Sequence, residues 1–180
     1  MASRVETVYP ALQKEWVVYQ PTVELTPVAH THETLEKWAN WLQDPDVHLW
    51  MTGDLPDTMT KVNKWLYDAT HDPRRHYFTI LADGNMVGIV NLRTDHVPSS
   101  TAEIGIVIGE ADYRSCGVGT KTIEKILEIT KNDLHLQKVR AHILPENEKS
   151  IRLFTGQGFV HTQNVTVNHT PMLRFEKTIL

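Results

Sequence analysis

"DYRSCGVGTKTIEKILEITKNDL", residues 112–134, sets a polar turn with two glycines directly before a long amphipathic run. A helix start is normally capped by one Ser, Thr, Asp or Asn, whose side-chain oxygen takes an orphan N–H. Gly117 and Gly119 instead fall in the first turn, where each costs about 1 kcal/mol against Ala. An anion at the helix N-terminus would offset that cost. The end of a helix presents unpaired N–H groups and the positive pole of its dipole, and a missing Cβ lets a phosphate reach the backbone. Arg114 adds a permanent charge beside the glycines. Downstream, Ile123, Ile126, Leu127, Thr130 and Leu134 fall on one stripe, so the helix has a defined buried face.

On either side of this stretch the hydrophobic period alternates between two and 3.6. "TAEIGIVIG" (101–109) predicts a strand with Ile104, Ile106 and Ile108 on one face and Glu103, Gly105 and Val107 on the other. "RHYFTILAD" and "MVGIVNLRTD", separated by "GN", predict a hairpin before it. Further upstream, "HTHETLEKWANWLQD" and "PDTMTKVNKWLYDAT" carry Leu35, Trp38, Trp41 and Leu42, then Met59, Val62, Trp65 and Leu66, at helical spacing. Pro56 is placed for the start of the second helix. "TVELTPV" (22–28) is a first strand, preceded by an irregular arm, 1–21, that ends in a short strand, "WVVY". After the central helix come a strand, "KVRAHIL", and a short helix, "PENEKSIRLFTGQGF", ended by Gly156 and Gly158. Two strands, "VHTQNVTV" and "MLRFEKTIL", close the chain. The order predicts an α/β (α+β) fold of about seven strands and about four helices, in one domain over residues 22–180.

Composition narrows the function classes. The 180 residues are 41% hydrophobic and 22% charged, close to globular averages. A net charge of −4 and a pI near 6.2 argue against nucleic acid or an anionic membrane as the main partner. One cysteine, Cys116, leaves no internal disulfide and fits a reducing compartment. "MASRVETVYPALQKEW" has no signal-peptide core and no run approaches a membrane span, so the expectation is a cytosolic chain.

Known phosphate loops do not fit the spacing. A Walker loop needs G-x-x-x-x-G-K-[ST], and Gly119 is followed by Thr120 and then Lys121. A dinucleotide fingerprint needs a third glycine where Thr122 stands. What fits is R-x-x-G-x-G, spelled Arg114-Ser115-Cys116-Gly117-Val118-Gly119 between a strand and a helix. This segment resembles the acyl-CoA motif of the GNAT N-acetyltransferase superfamily. "NEKSIRLFTGQGF" (147–159) resembles that family's N-x-x-S-x-x-L-(Y/F)-x-x-x-G-F helix, and the order of elements from 22 to 179 follows the family. Within it, the stretch from 75 to 151 looks most like the Rim-type branch of ribosomal-protein, polyamine and amino-sugar acetylases.

The resemblance implies a mainly antiparallel sheet whose central strand, around Ile106, Val107 and Ile108, parts from its neighbour to pair with the pantetheine arm of acetyl-CoA. A backbone N–H near Val107 would meet the thioester oxygen. The loop Arg114, Ser115, Cys116, Gly117, Val118, Gly119 and Thr120 would hold the pyrophosphate, and Asn147 would contact the pantetheine or thiol end. Phe154, expected among the coenzyme-binding residues, stands where many relatives carry a tyrosine whose hydroxyl protonates the leaving thiolate, so that role is vacant or moved. Ser150 matches a serine proposed for it, and equally suits satisfying an Asn147 cap. Glu103 suits the general base, since it shares a strand face with Gly105 and Val107; a solvent-facing carboxylate is the competing reading.

Other residues point elsewhere less strongly. Cys116 at a helix N-terminus suggests a reactive thiol, but no activating histidine follows from spacing. The ten histidines show no i, i+4 metal pair, so no metal is expected. Trp38, Trp41 and Trp65 read as core. Trp50 and Met51 lie between the helices, in a segment that borders the acceptor site in the family, and are the candidate substrate-binding residues. Polyamine acceptors would need carboxylates, which "DLPD" (54–57), Asp44 and Asp46 offer. The expected function is acetyl transfer from acetyl-CoA to a primary amine, with an inactive acyl-CoA-binding module as the alternative that Phe154 keeps open. The closing strands also offer an edge for a homodimer.

Overall fold

The computed structural model describes residues 19–51, 55–97 and 99–179; the "WVVY" segment lies outside these except for Tyr19. The elements in chain order are β1 (Val23–Pro27), α1 (His32–Gln43), α2 (Pro45–His48), α3 (Met59–His71), β2 (Arg75–Ala82), β3 (Asn85–Arg93) and β4 (Thr101–Ile108). After a 3-10 turn, Ala111–Tyr113, come α4 (Val118–Asn132), β5 (Lys138–Ile143), α5 (Glu148–Gly156), β6 (Val160–Val167) and β7 (Thr170–Thr178). The seven strands form one sheet in the order β1-β2-β3-β4-β5-β7-β6, antiparallel at every neighbour except β4 and β5. That pair is parallel because α4 carries the chain back across the sheet.

Local chemistry accounts for most boundaries. Thr31 caps α1 by accepting from Thr34 N, and Thr58 caps α3 by accepting from Lys61 N. Pro56 therefore precedes the α3 cap instead of opening the helix, a correction that follows from the threonine hydroxyl winning the cap. The β2–β3 hairpin turns on Asp83 and Gly84, at φ 50° and 80°, one residue earlier than "GN" suggests; two left-handed residues are what a tight primed turn requires. Asn168 and His169, at φ 48° and 64°, do the same between β6 and β7. The short α2, unforeseen in the sequence, is capped by Asp44, which accepts from Asp46 N, and starts on Pro45.

Each sheet face carries its own core. One face packs Ile80, Val90, Leu92, Ile104 and Val139 against Ile123 and Ile126 of α4 and Phe154 of α5. The other packs Ile89 against Trp38, Trp41, Leu42, Val62 and Leu66 of α1 and α3. Trp38 and Trp65 stack at 4.6 Å and 13°, and Tyr77 meets Trp65 edge-on, so the tryptophans serve packing. Gly109 is required here: a Cβ on it would stand 2.1 Å from the Trp41 ring, so its absence lets α1 close over the end of β4.

Candidate active site

The site grows from a break in the sheet. The register between β4 and β5 covers only Thr101–Glu103 with Lys138–Arg140, while β4 runs on to Ile108 and β5 to Ile143. Beyond Glu103 the two strands part. Which backbone groups face the gap follows from two hydrogen bonds. Ser100 O accepts from Lys138 N on the β5 side, and Gly109 N donates to Val87 O on the β3 side. Strand alternation then turns the polar groups of Ile104, Ile106 and Ile108 toward the gap and those of Val107 toward β3. The backbone N–H groups that face the gap therefore belong to the neighbours of Val107, because Val107 itself faces β3.

At the open end of β4 the chain enters the glycine turn. Ser115 and Gly117 take φ 64° and 89°, and Gly117 is the N-cap of α4, with no side chain bonding the first-turn N–H groups. Space beside Gly117 is open: a Cβ there would meet nothing within 4 Å. The turn thus presents bare backbone donors at a helix N-terminus, a fit for a phosphate. Gly119 also serves packing: its Cβ would lie 3.2 Å from Leu153 Cδ2, so its absence lets α4 approach α5.

Arg114 turns away from the bare donors. Its guanidinium donates to Ile108 O at 3.0 Å, Gly109 O at 2.6 Å and Asp44 Oδ2 at 2.6 Å, and lies 3.7 Å from Asp46. It clamps the end of β4 to the α1–α2 junction, and it holds the Asp44 carboxyl below the usual range. The Cys116 thiol donates to Tyr113 O at 3.1 Å. Lys121 Nζ donates to Pro21 O at 2.9 Å.

On α5, Asn147 accepts from Ser150 N at 3.1 Å, so the structure supplies the capping use of both residues. Phe154 is 3% exposed and packs edge-to-face on Phe159 at 5.0 Å. A ring held this way packs in the core beneath α4 and α5. Met51 packs against the second core, whereas Trp50 is 39% exposed. Neither lines the apolar groove of about 600 Å³ between the helices, whose walls include Leu42, Leu49, Leu55, Met59 and Val62.

Around Glu103 the structure gathers residues that sequence reasoning did not select. Its carboxylate lies 3.2 Å from His142 Nδ1, 3.5 Å from Arg93 Nη2 and 3.7 Å from Arg140 Nε. Arg174 Nε donates to His142 Nε2 at 3.1 Å, which leaves the ring proton on Nδ1, toward Glu103. His142 is nearly enclosed, its side chain 8% exposed, and Nδ1 sits off the line of a good hydrogen bond, so it retains bonding capacity. Lys138, Arg140 and His142 alternate with buried Val139, Ala141 and Ile143, a polar stripe visible in "KVRAHI". Its partners across the sheet were not visible. Among the described residues no group of three or more His, Cys, Asp or Glu is placed to hold a metal ion, and no helix is long and apolar enough to cross a membrane.

A sheet that parts beside a left-handed glycine cap defines an α/β protein with a gap at the centre of its sheet. Residues 23–160 match the acetyltransferase (GNAT) domain, and the chain belongs to that family. It is 43% identical over 70 residues to the mouse (Mus musculus) alpha/beta-tubulin-N-acetyltransferase 9, a match over 38% of this chain and 29% of that protein. It is 30% identical over 95 residues to spermidine N(1)-acetyltransferase of Escherichia coli K12, covering 52% of this chain and 50% of that one. The chain thus spans half or less of the length of these curated relatives. In structure it is similar to spermidine N-acetyltransferase from Vibrio cholerae in complex with CoA and spermine, with a TM-score of 0.77, 18% identity, and coverage of 87% of this chain and 95% of that one.

Proposed function

We propose that this chain is an acetyl-CoA-dependent N-acetyltransferase whose acceptor is the α-amine of a protein N-terminus. The carrying observation is the pairing that stops at Glu103, which leaves a strand edge free beside the bare N-terminus of α4. The pyrophosphate of acetyl-CoA fits the turn from Ser115 to Thr120, and its pantetheine arm fits the free edge of Ile106 and Ile108. An N–H of that edge, from Ile104 or Ile106, would hydrogen-bond the thioester oxygen; such a preorganised donor supplies several kcal/mol as charge develops.

The amine nitrogen attacks the thioester carbonyl, the carbon–sulfur bond breaks, and coenzyme A leaves as a thiolate that takes up a proton. Glu103 accepts the amine proton directly or through water. Phe154 has no proton to give, so Ser150 or water returns one to the thiolate.

The acceptor follows from charge. Asp44 and Asp46 are engaged by Arg114, and Asp57 pairs with Lys61 at 3.0 Å, so these carboxylates do not form the free acidic cluster a polyamine needs. Asp54 lies outside the described residues. An α-amine, with a pKa near 8, is partly neutral at physiological pH, whereas an alkyl amine near 10 demands a stronger base. The mouse relative's name, a tubulin N-acetyltransferase, supports a protein acceptor.

Thiol release from acetyl-CoA, measured against N-terminal peptides, spermidine and an amino sugar, tests this. Peptide-dependent release with N-terminal acetylation by mass spectrometry is expected. Turnover confined to spermidine would refute the acceptor; CoA binding with no turnover on any amine would favour the inactive module.

A further inference from the structure

One register row crosses five strands on the face that carries Glu103: Arg75 on β2, Arg93 on β3, Glu103 on β4, Arg140 on β5 and Glu176 on β7. Arg75 and Arg93 stand directly opposite each other, an arrangement of like charges that weakens a sheet. Beside them a recess of about 250 Å³ opens among Asp72, Arg74, Arg75, Arg93, Thr94 and Asp95.

Both aspartates in its wall are already taken. Asp72 binds Arg74 with both oxygens, at 3.0 and 2.8 Å, and its Oδ2 also lies 3.4 Å from Arg75 Nε, while Asp95 binds Arg140 with both, at 2.8 and 2.9 Å. Arg93 is less engaged: its side chain is 51% exposed and its ion pair with Glu103 spans 3.5 Å. Thr94 is 6% exposed, and its buried Oγ1 has no hydrogen-bond partner. Buried hydroxyls are almost always paired, so an orphan on the wall of an arginine-lined recess points to a bound acceptor of hydrogen bonds. Guanidinium groups and a hydroxyl together suit a carboxylate.

We propose that the recess binds a carboxylate of the acceptor polypeptide, from an acidic residue at its second or third position. This rests on the N-terminal reading above. Arg75 lies two strands from Glu103, about 10 Å away, and an extended chain covers that in two to three residues. The same arginines repel polyamines.

Paired peptides that differ only by Glu or Gln at position two or three test the idea through kcat/KM. The Glu peptide is expected to be favoured about tenfold or more, the effect of one charge-assisted bond. Arg75→Gln should bring the ratio to about one, Arg75→Lys should restore part of it, and Thr94→Val should reduce it severalfold, with melting temperatures confirming that each variant folds. A ratio near one in the unaltered protein, or one undiminished in Arg75→Gln, overturns the proposal while leaving peptide acetylation intact. If no peptide is acetylated, the N-terminal reading falls on its own. Calorimetric titration of the N-acetylated Glu and Gln peptides then reads the recess directly, and equal affinities reject it.

Discussion

Replacing Gly117 by alanine separates the backbone's two demands at the mouth of α4. Gly117 sits at φ 89° and ψ −6°, where an L-residue costs about 1–2 kcal/mol over glycine. The added Cβ meets nothing within 4 Å, so no packing term adds to or offsets that cost. For a chain of this size, 1 kcal/mol shifts the melting temperature by about 2–4 °C, so a drop of about 2–8 °C is expected. The methyl group also projects into the open space assigned to the diphosphate, so the KM for acetyl-CoA should rise and the thermal stabilisation by added coenzyme A should shrink. Gly119→Ala is the comparison for stability alone. It gains about 1 kcal/mol of helix propensity and loses part of it to the 3.2 Å contact with Leu153, leaving the melting temperature within about 2 °C. Melting curves of both variants, with and without coenzyme A, provide the readout. An unchanged melting temperature and an undiminished coenzyme A shift in Gly117→Ala would refute both the left-handed cap and its use as an anion cradle.

Three further outcomes follow from the geometry. Glu103→Gln should lower kcat about a hundredfold or more, as for loss of a general base, with the KM for acetyl-CoA little changed; a kcat within threefold of the unaltered enzyme removes Glu103 from the chemistry. Phe154→Tyr places a hydroxyl in a core site that is 3% exposed, which costs about 1–3 kcal/mol unless it finds a partner, and should lower the melting temperature without raising kcat. A rise in kcat would show that the ring reaches the thiol after all. Asp72, held at a pKa of about 2 by Arg74, against an ordinary 3.8, stabilises the fold fully above about pH 4 and loses that contribution as pH falls toward 2. Asp72→Asn should therefore flatten the acid limb of the stability curve between those values, and a carboxyl resonance titrating near 3.8 would contradict the pairing.

Much of the fold was legible because its signals are local. The alternation in "TAEIGIVI" and the 3.6-residue stripes carried by Trp38 and Ile123 depend only on the pitch of a strand or helix, and they placed seven strands and the longer helices. The sequence placed glycines at the mouth of α4 and read them as room for a phosphate; that Gly117 itself takes the left-handed conformation came only with the fold. Four-residue α2 escaped notice because a single turn has no period. Arg114 shows where such reading ends: its motif fixed its place in the chain, while its destination, Asp44 and two strand-end carbonyls, depends on the packing of α1. The surroundings of Glu103 depend on pairing still more. His142, Arg93 and Arg174 come from three other strands, and only the register across the sheet brings them within reach of one carboxylate or its neighbour. Strand period tells which face a side chain takes; strand order and register, set by loop closure and by burial of both faces at once, decide what stands beside it.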